Sequence, residues 1–511
     1  MEYLAPTAAI RVTEKLRAEL FEKAVRMDLA YYETPQFYTD FVWAASQAET
    51  RCSQVLNAYL QLVTKVSELI FLGGIMIVLD PVLLIFAVTV ALVRIAVNKV
   101  LIRLRFEMEN EGKPYERQRD YSQRIFYLND YAKEIRLSNV HTILYSRFRQ
   151  ASAKLYDIYK KAGRKTFAVS MITCTAQELL LTLGMLLYLA YRILVTGALS
   201  LGDFAALISA TTQFSRRMTQ LVNVMTNFTE SALYVEKFRK FLEYKPAIET
   251  QVGEKTSGQT ETIELKDVSF TYEGEEQPSL QHINMTIQPN EKIAIVGYNG
   301  AGKSTLVKLL MRLYDVSEGE ICVGGKDIRT FETADYRKNF GAVFQDFQIF
   351  AATLGENVAM DFVEEEEREK IVQSLIHSGM KEKLDRLPTG IDTPLTREFE
   401  ENGQNLSGGE AQKTAIARVF LRPYQYVIMD EPSSALDPVS EYNLNQNMME
   451  IARDKTVIFI SHRLSTTCMA DRIYMLEKGQ IIEQGTHHEL MELDGKYAEM
   501  FHKQAEKYLC Q

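Results

Sequence analysis

Between Leu69 and Val97 the chain is almost wholly apolar, interrupted only by Thr89, the Asp80-Pro81 pair and Arg94. A run of this length either spans a membrane or is buried inside a helical soluble domain. Pro81 lies at its middle, lacks the N–H a continuous helix would use there, and so divides the run in two. Extended outward, the halves become Leu56–Leu79 and Pro81–Leu104. Each reaches the roughly 20 residues that a hydrocarbon core of about 30 Å demands. Phe167–Val195 and Phe204–Phe228 are two further segments of the same kind.

The placement of basic residues favours the membrane. Arg94–Lys165 holds 17 Lys and Arg and residues 1–51 hold six, whereas the connections around Asp80-Pro81 and Val195–Asp203 hold none. Cytoplasmic loops collect Lys and Arg, so a hairpin at Pro81 puts every basic stretch on one face. Four spans with both ends in the cytoplasm follow. The stretch between the second and third spans is too polar for lipid, with Gly112 and Pro114 its only turn signals. It predicts a membrane helix that runs on into the cytoplasm, turns and returns. Glu178 in the third span and Arg216, Arg217 and Gln220 in the fourth are polar residues at membrane depth. They either line a cavity, or snorkel to the interface or pair between helices.

After the fourth span, Glu230–Tyr244 continues as a charged helix, and Lys245–Thr262, with Pro246, Gly253, Ser257 and Gly258, reads as a linker. The expected division is a transmembrane domain with cytoplasmic loops over 1–244, a linker over 245–262 and a second domain over 263–511. Charge divides at the same place. Residues 1–249 carry 31 Lys and Arg against 24 Asp and Glu, the remainder 27 against 43, giving +7 and −16. Two modules in different surroundings are implied, and the acidic one is poorly suited to nucleic acid. Cys52, Cys174, Cys322, Cys468 and Cys510 are scattered without metal-ligand spacing and read as reduced thiols, which places the second half in the cytosol. Met1–Ile10 has no basic n-region, and no signal peptide is expected.

From Ile263 the pattern changes to short apolar strands alternating with helices. Lys292–Val296, Val427–Asp430, Val457–Ser461 and Arg472–Leu476 are near-continuous apolar runs, as expected of a parallel sheet covered on both faces. The first runs into GYNGAGKST, residues 297–305, a phosphate-binding loop in its strand-loop-helix context. Gly297, Asn299, Gly300, Ala301 and Gly302 let backbone N–H groups turn toward phosphate oxygens, and the helix opening at Lys303, Ser304 and Thr305 adds its positive end. Lys303 is expected to bridge β- and γ-phosphates and Ser304 to ligate Mg²⁺. In YVIMDEP, an apolar strand ends in two carboxylates. Taken alone that is an ordinary turn; behind a phosphate loop, Asp430 would hold Mg²⁺ through water and Glu431 would polarise the attacking water. NLSGGEAQK, residues 405–413, is a Ser-Gly-Gly turn opening a helix, for which a plain N-cap at Ser407 is the simplest reading.

Together these motifs resemble the ATP-binding cassette (ABC) exporters, in which a membrane domain and a nucleotide-binding domain share one chain. LSGGE resembles the family signature, and the resemblance implies that Ser407, Gly408 and Gly409 meet the γ-phosphate held by a partner subunit. It places Tyr272 in VSFTY against adenine, Gln345 in VFQD at Mg²⁺ and the attacking water, Asp437 in SALD in the D-loop, and His462 in ISHRLS as the switch histidine. The spacing fits: 42 residues from Lys303 to Gln345, 62 to Ser407, 24 to Glu431 and 31 to His462. The fold class implied is an α-helical membrane domain, four spans with long cytoplasmic extensions, followed by an α/β P-loop NTPase domain of the ABC type. The function implied is ATP-driven export by a dimer at the cell membrane, with ATP and Mg²⁺ as cofactors. Its partners are a second ABC subunit, the lipid bilayer and an unidentified cargo, with no nucleic acid. The alternative is a truncated or non-transporting membrane ABC ATPase.

Over the membrane half, VTGALSLGDFAAL at 195–207 looks like the family's connection between its last two spans. Short coupling helices are expected near Pro35–Phe41 and around Arg124–Lys133, ahead of AKEIRL. Three departures from the family stand out. Glu410 replaces the signature's glutamine, and TREFEENGQN replaces a more glycine-rich stretch. Four spans stand where the family has six, from which the 511-residue chain is expected to hydrolyse ATP but transport little, and a form with roughly 80 to 100 upstream residues to transport.

Overall fold

Prolines set the helix starts of the first half. Pro35 opens a 45-residue helix to Leu79, and Pro81 opens a 47-residue helix to Tyr127. Pro at the first helical position costs nothing, because that N–H has no intrahelical partner. Asp80 is the single residue between them, and its carboxylate caps the second helix by accepting the Val82 N–H at 3.0 Å. The computed structural model describes residues 4–128, 131–179, 183–196, 200–248, 253–432, 441, 446–447, 455–461 and 467–509. The chain forms two compact units, one of residues 1–21 and 40–243, the other of residues 22–39 and 244–511.

The first unit is helical. Helix Pro81–Tyr127 runs unbroken through Pro114 and packs along Val140–Glu178, where Gly112 faces Leu155 so closely that a Cβ would sit 3.3 Å from its Cδ2. That is the run-on, turn and return read from the sequence. Helices Gly184–Leu194 and Leu201–Glu243 also belong to this unit, as do Ala132–Leu137 and most of Leu4–Arg26. Met76, Leu83, Ala87, Met185, Leu189, Leu207 and Phe214 form a buried cluster around the Asp80 corner. Asp80 is itself buried. It accepts the Tyr188 hydroxyl at 3.0 and 3.1 Å and lies 3.3 Å from Arg192 Nε, which compensates a charge that would otherwise be costly there. Arg217 pairs between helices with Glu68 at 3.0 Å and, within its own helix, donates to Gln220 at 3.1 Å. The side chain of Glu178 lies outside the described residues.

Two boundaries differ from expectation. The short helix expected near Pro35–Phe41 is Leu29–Glu33, because Pro35 forces Thr34 into an extended conformation (φ −90°, ψ 118°) and begins the long helix. The one expected around Arg124–Lys133 is AKEIRL itself, Ala132–Leu137, since the long helix continues to Tyr127.

In the second unit, β1 (Ile263–Phe270), β2 (Leu280–Ile287), β4 (Glu318–Val323) and β5 (Lys326–Asp327) form an antiparallel sheet in the order β2-β1-β4-β5. β3 (Lys292–Gly297), β6 (Phe340–Val343), β7 (Tyr426–Asp430), β8 (Thr456–Ile460), β9 (Arg472–Glu477) and β10 (Gln480–Gly485) form the second sheet. Its order is β10-β9-β3-β8-β7-β6, parallel except for the β10 edge. The four strands expected from apolar runs are β3, β7, β8 and β9, side by side in its middle. β7 and β8 are buried at every residue, which is why they read as continuous rather than alternating. The main core lies between the sheets, and a smaller one gathers Leu354, Val358, Ile371, Leu375 and Ala417 in a helical lobe. Among the described residues Cys322 and Cys468 are free thiols.

Candidate nucleotide-hydrolysis site

The carboxyl ends of parallel strands collect the site. β3 delivers the phosphate loop. Gly297 has φ 151° and any Cβ there would strike the Leu476 carbonyl of β9, so no other residue fits. Gly302, at φ 101°, caps helix Lys303–Leu310, and a Cβ on it would meet Leu280 Cδ2 at 2.7 Å. Asn299 and Gly300 are exposed at the loop's tip, while Ala301 and Thr305 are buried beneath it. Lys303 Nζ folds back over the loop, donating to the carbonyls of Gly297 (2.9 Å) and Tyr298 (3.1 Å). Burial lowers its pKa, and Glu431 and Asp430 oppose that shift.

β7 delivers the carboxylates. Asp430 is buried, and its pKa is pushed up to about 6, first by burial and then by the neighbouring Glu431. Lys303 and Ser304 counter this, Ser304 Oγ lying 3.5 Å from Asp430 Oδ2. Two adjacent carboxylates beside a serine hydroxyl, one of them buried and carrying a raised pKa, form an oxygen donor set short of positive charge, and it fits a divalent cation such as Mg²⁺. Glu431 occupies the left-handed region at φ 49°, unusual for a residue with a Cβ, and is held there from both sides. Its N–H donates to Ile460 O at 2.9 Å, and its carbonyl accepts from Gln412 Nε2 at 3.2 Å.

Gln412 is a residue that sequence reading missed. It sits inside NLSGGEAQK, five positions beyond Ser407, and is buried, tying the signature helix to the strand end that carries Glu431. A polar residue on the apolar face of a helix was the available signal. Gln345 is exposed in the loop just past β6, whose Val343 pairs with Met429 beside Asp430. Tyr272 follows β1 and packs edge-on against Phe270 (4.9 Å) and Tyr314 (5.4 Å), while its hydroxyl lies 3.1 Å from Thr305 Oγ1. Asp437 and His462 lie outside the described residues.

Ser407 caps helix Gly408–Leu421 with a reciprocal capping box. Its hydroxyl accepts the Glu410 N–H at 3.3 Å, and its own N–H donates to Glu410 Oε2 at 2.8 Å. Ser407 and Gly408 are exposed, Gly409 half-buried. The departure at Glu410 is therefore structural. Burial would raise its pKa, but the Ser407 hydrogen bonds and Lys383 at 3.3 Å outweigh it, and the net shift is downward. Glu410→Gln keeps an acceptor for the Ser407 N–H and loses only the Lys383 charge pair. We expect ATPase activity within about two-fold of wild type and a small drop in melting temperature. A depressed carboxylate pKa contributes stability above the ordinary glutamate range, so that small difference should fade as pH falls through the lowered pKa. Phosphate-release assays and melting curves across pH 4–7 check both. In TREFEENGQN, Arg397 donates to the Gly403 carbonyl at 3.1 Å, and Phe399 is exposed.

Residues 280–434 match the ABC transporter family. A solved bacterial Atm1-family ABC exporter with ATP bound superimposes with a TM-score of 0.84 at 25% identity, over 98% of this chain and 87% of that one. Within the chain, residues 280–434 are an ABC transporter domain. An ATP-dependent lipid A-core flippase of Vibrio cholerae is 35% identical to this chain over 63% of the chain and 54% of the flippase. Matches to the flippases of Vibrio vulnificus cover 59% of their length, so the chain spans little more than half of those relatives. YgaD of Bacillus subtilis (strain 168), whose name assigns it provisionally to multidrug export, is 28% identical over 98% of the chain and 85% of YgaD. The chain combines a helical N-terminal region with an α/β nucleotide-binding domain that marks it as an ATPase.

Proposed function

We propose that this chain is one half of an ATP-driven exporter that works as a dimer in a cell membrane. The observation that carries it is the meeting of Lys303, Ser304, Asp430 and Glu431 at the ends of β3 and β7, with the signature cap at Ser407 held on a separate, exposed helix start. A nucleotide seated on the phosphate loop of one subunit is completed by Ser407, Gly408 and Gly409 of the other. The lysine side chain leaves the carbonyls of Gly297 and Tyr298 to bind β- and γ-phosphate oxygens. Tyr272 stacks on the adenine. Glu431 orients the water and polarises its O–H, Gln345 and His462 position it, and Asp437 lies at the subunit boundary. Mg²⁺, held by Ser304, Asp430 and Gln345, supplies neutralisation of phosphate charge when bound.

The domain division proposed is membrane domain 1–244, linker 245–262 and nucleotide-binding domain 263–511, the last in the cytoplasm. Among the described residues one helix, Gln54–Val78, is long and apolar enough to cross a membrane by length and composition; the reading of four spans is supported further by the other long helices and by outward-facing Ile70, Phe71, Ile85, Leu92 and Ile172. Cargo is read by residues on those helices, and relatives of similar likeness carry names for different cargoes. The test is ATP-dependent accumulation of fluorescent amphiphiles in inverted vesicles, with Lys303→Ala as control. Hydrolysis without accumulation or stimulation by any amphiphile would leave a non-transporting ATPase.

A further inference from the structure

The segment 22–39 belongs to the same compact unit as the cassette, although more than 200 residues separate them in sequence. Its attachment is specific. The buried Asp28 carboxylate accepts the N–H groups of Ala247 (2.6 Å) and Ile248 (3.4 Å), and the Tyr31 hydroxyl donates to the Lys245 carbonyl at 3.0 Å. Leu29 and Ala30 pack against the main cassette core. The short helix Leu29–Glu33 thereby holds Glu33 near Tyr272 and Tyr314, where its carboxylate lies 3.6 Å from Lys308 Nζ. That ammonium in turn stands 5.6 Å from the centroid of the Tyr272 ring and 5.5 Å from that of Tyr314. Burial, and then Glu33, raise the Tyr314 pKa, so its ring stays neutral and Lys308 is the only cation between the two aromatic faces among the described contacts.

We infer that Glu33 is a positioning residue for nucleotide binding: through Lys308 it fixes the Tyr272 ring against which the adenine stacks. It rests on the proposed adenine role of Tyr272. The chemistry has three parts. Lys308 has a flexible four-carbon stem and many rotamers, and an ion pair to Glu33 selects the one that lies over the ring. An ammonium over one face of a tyrosine draws π density toward itself, which lowers π–π repulsion on the opposite face and favours a stacked base there. The Tyr272 hydroxyl, 3.1 Å from Thr305, and the edge contacts with Phe270 and Tyr314 fix the remaining freedom of the ring. The ligand addressed is thus the purine of the nucleotide rather than its phosphates. Because Pro35 starts the 45-residue helix two residues after Glu33, base occupancy and the start of that helix share one side-chain chain: Glu33, Lys308, Tyr272.

The test uses the full chain in lipid nanodiscs, with steady-state hydrolysis of Mg-ATP by wild type, Glu33→Ala, Glu33→Asp, Lys308→Ala, the Glu33→Ala/Lys308→Ala double variant and Tyr272→Ala. Expected are a KM for ATP raised about three- to ten-fold in Glu33→Ala with kcat within about two-fold, partial recovery in Glu33→Asp, and no added loss when Glu33→Ala is placed on Lys308→Ala. A purely structural role would lower kcat and melting temperature together and would add to Lys308→Ala; that outcome overturns the inference. So does an unchanged KM in Glu33→Ala while Tyr272→Ala raises it, which leaves the adenine assignment standing. An unchanged KM in Tyr272→Ala removes the adenine assignment and this inference with it.

Discussion

Glu431→Gln protein is expected to release phosphate at least about 100-fold more slowly than wild type while still binding ATP. Gln has the shape of Glu and can still hydrogen-bond a water, but it cannot draw a proton's charge toward itself as the nucleophile forms. The backbone at this position should not move on substitution, because the Ile460 carbonyl and the Gln412 side chain hold it from both ends. Binding should survive, since the phosphate contacts are proposed for the loop at 297–305, which the substitution leaves intact. Phosphate release by purified protein and equilibrium titration with ATP read the two quantities separately. Unchanged release would remove Glu431 from catalysis; lost binding would point to a collapsed strand end instead.

The second large effect is complementation. Ser407→Arg replaces an exposed cap with a bulky cation at the helix start, and Lys303→Ala strips the phosphate loop of its ammonium, so each variant alone should be nearly inactive. In a mixed dimer the intact loop of the Ser407→Arg subunit meets the intact signature of the Lys303→Ala subunit, and one complete site is restored. Random pairing makes half the dimers mixed, each with one of two sites working, so about a quarter of wild-type activity should return if the sites act independently. Nucleotide should remain bound at the loop of Ser407→Arg protein. No recovery on co-reconstitution would contradict sites shared between subunits.

The cassette was more legible than the membrane half because its chemistry is written in local strings. A phosphate loop needs glycine where φ is positive and where a neighbouring carbonyl passes close, and Gly297 and Gly302 meet those demands at positions a short motif identifies. Buried parallel strands need apolar residues throughout, so β3, β7, β8 and β9 announced themselves. The two short helices expected at the loops lie several residues from their expected places because helices this short lack periodicity, and the first is ended by Pro35, which starts the next helix.

Sequence by itself determined the division into a helical and an α/β half, the helix break at Pro81, and the set of residues available for nucleotide chemistry. Each depends on properties a residue carries with it: apolarity, a missing N–H, a missing Cβ. Tertiary structure alone decided that residues 22–39 join the cassette, that Gln412 braces Glu431, that Arg217 pairs with Glu68, and that Asp80 accepts from Tyr188 and is charge-paired with Arg192. These are pairings between residues distant in the chain, fixed by the geometry of burial; a lone Asp, Gln or Arg in the sequence carries no mark of the partner that makes its burial affordable.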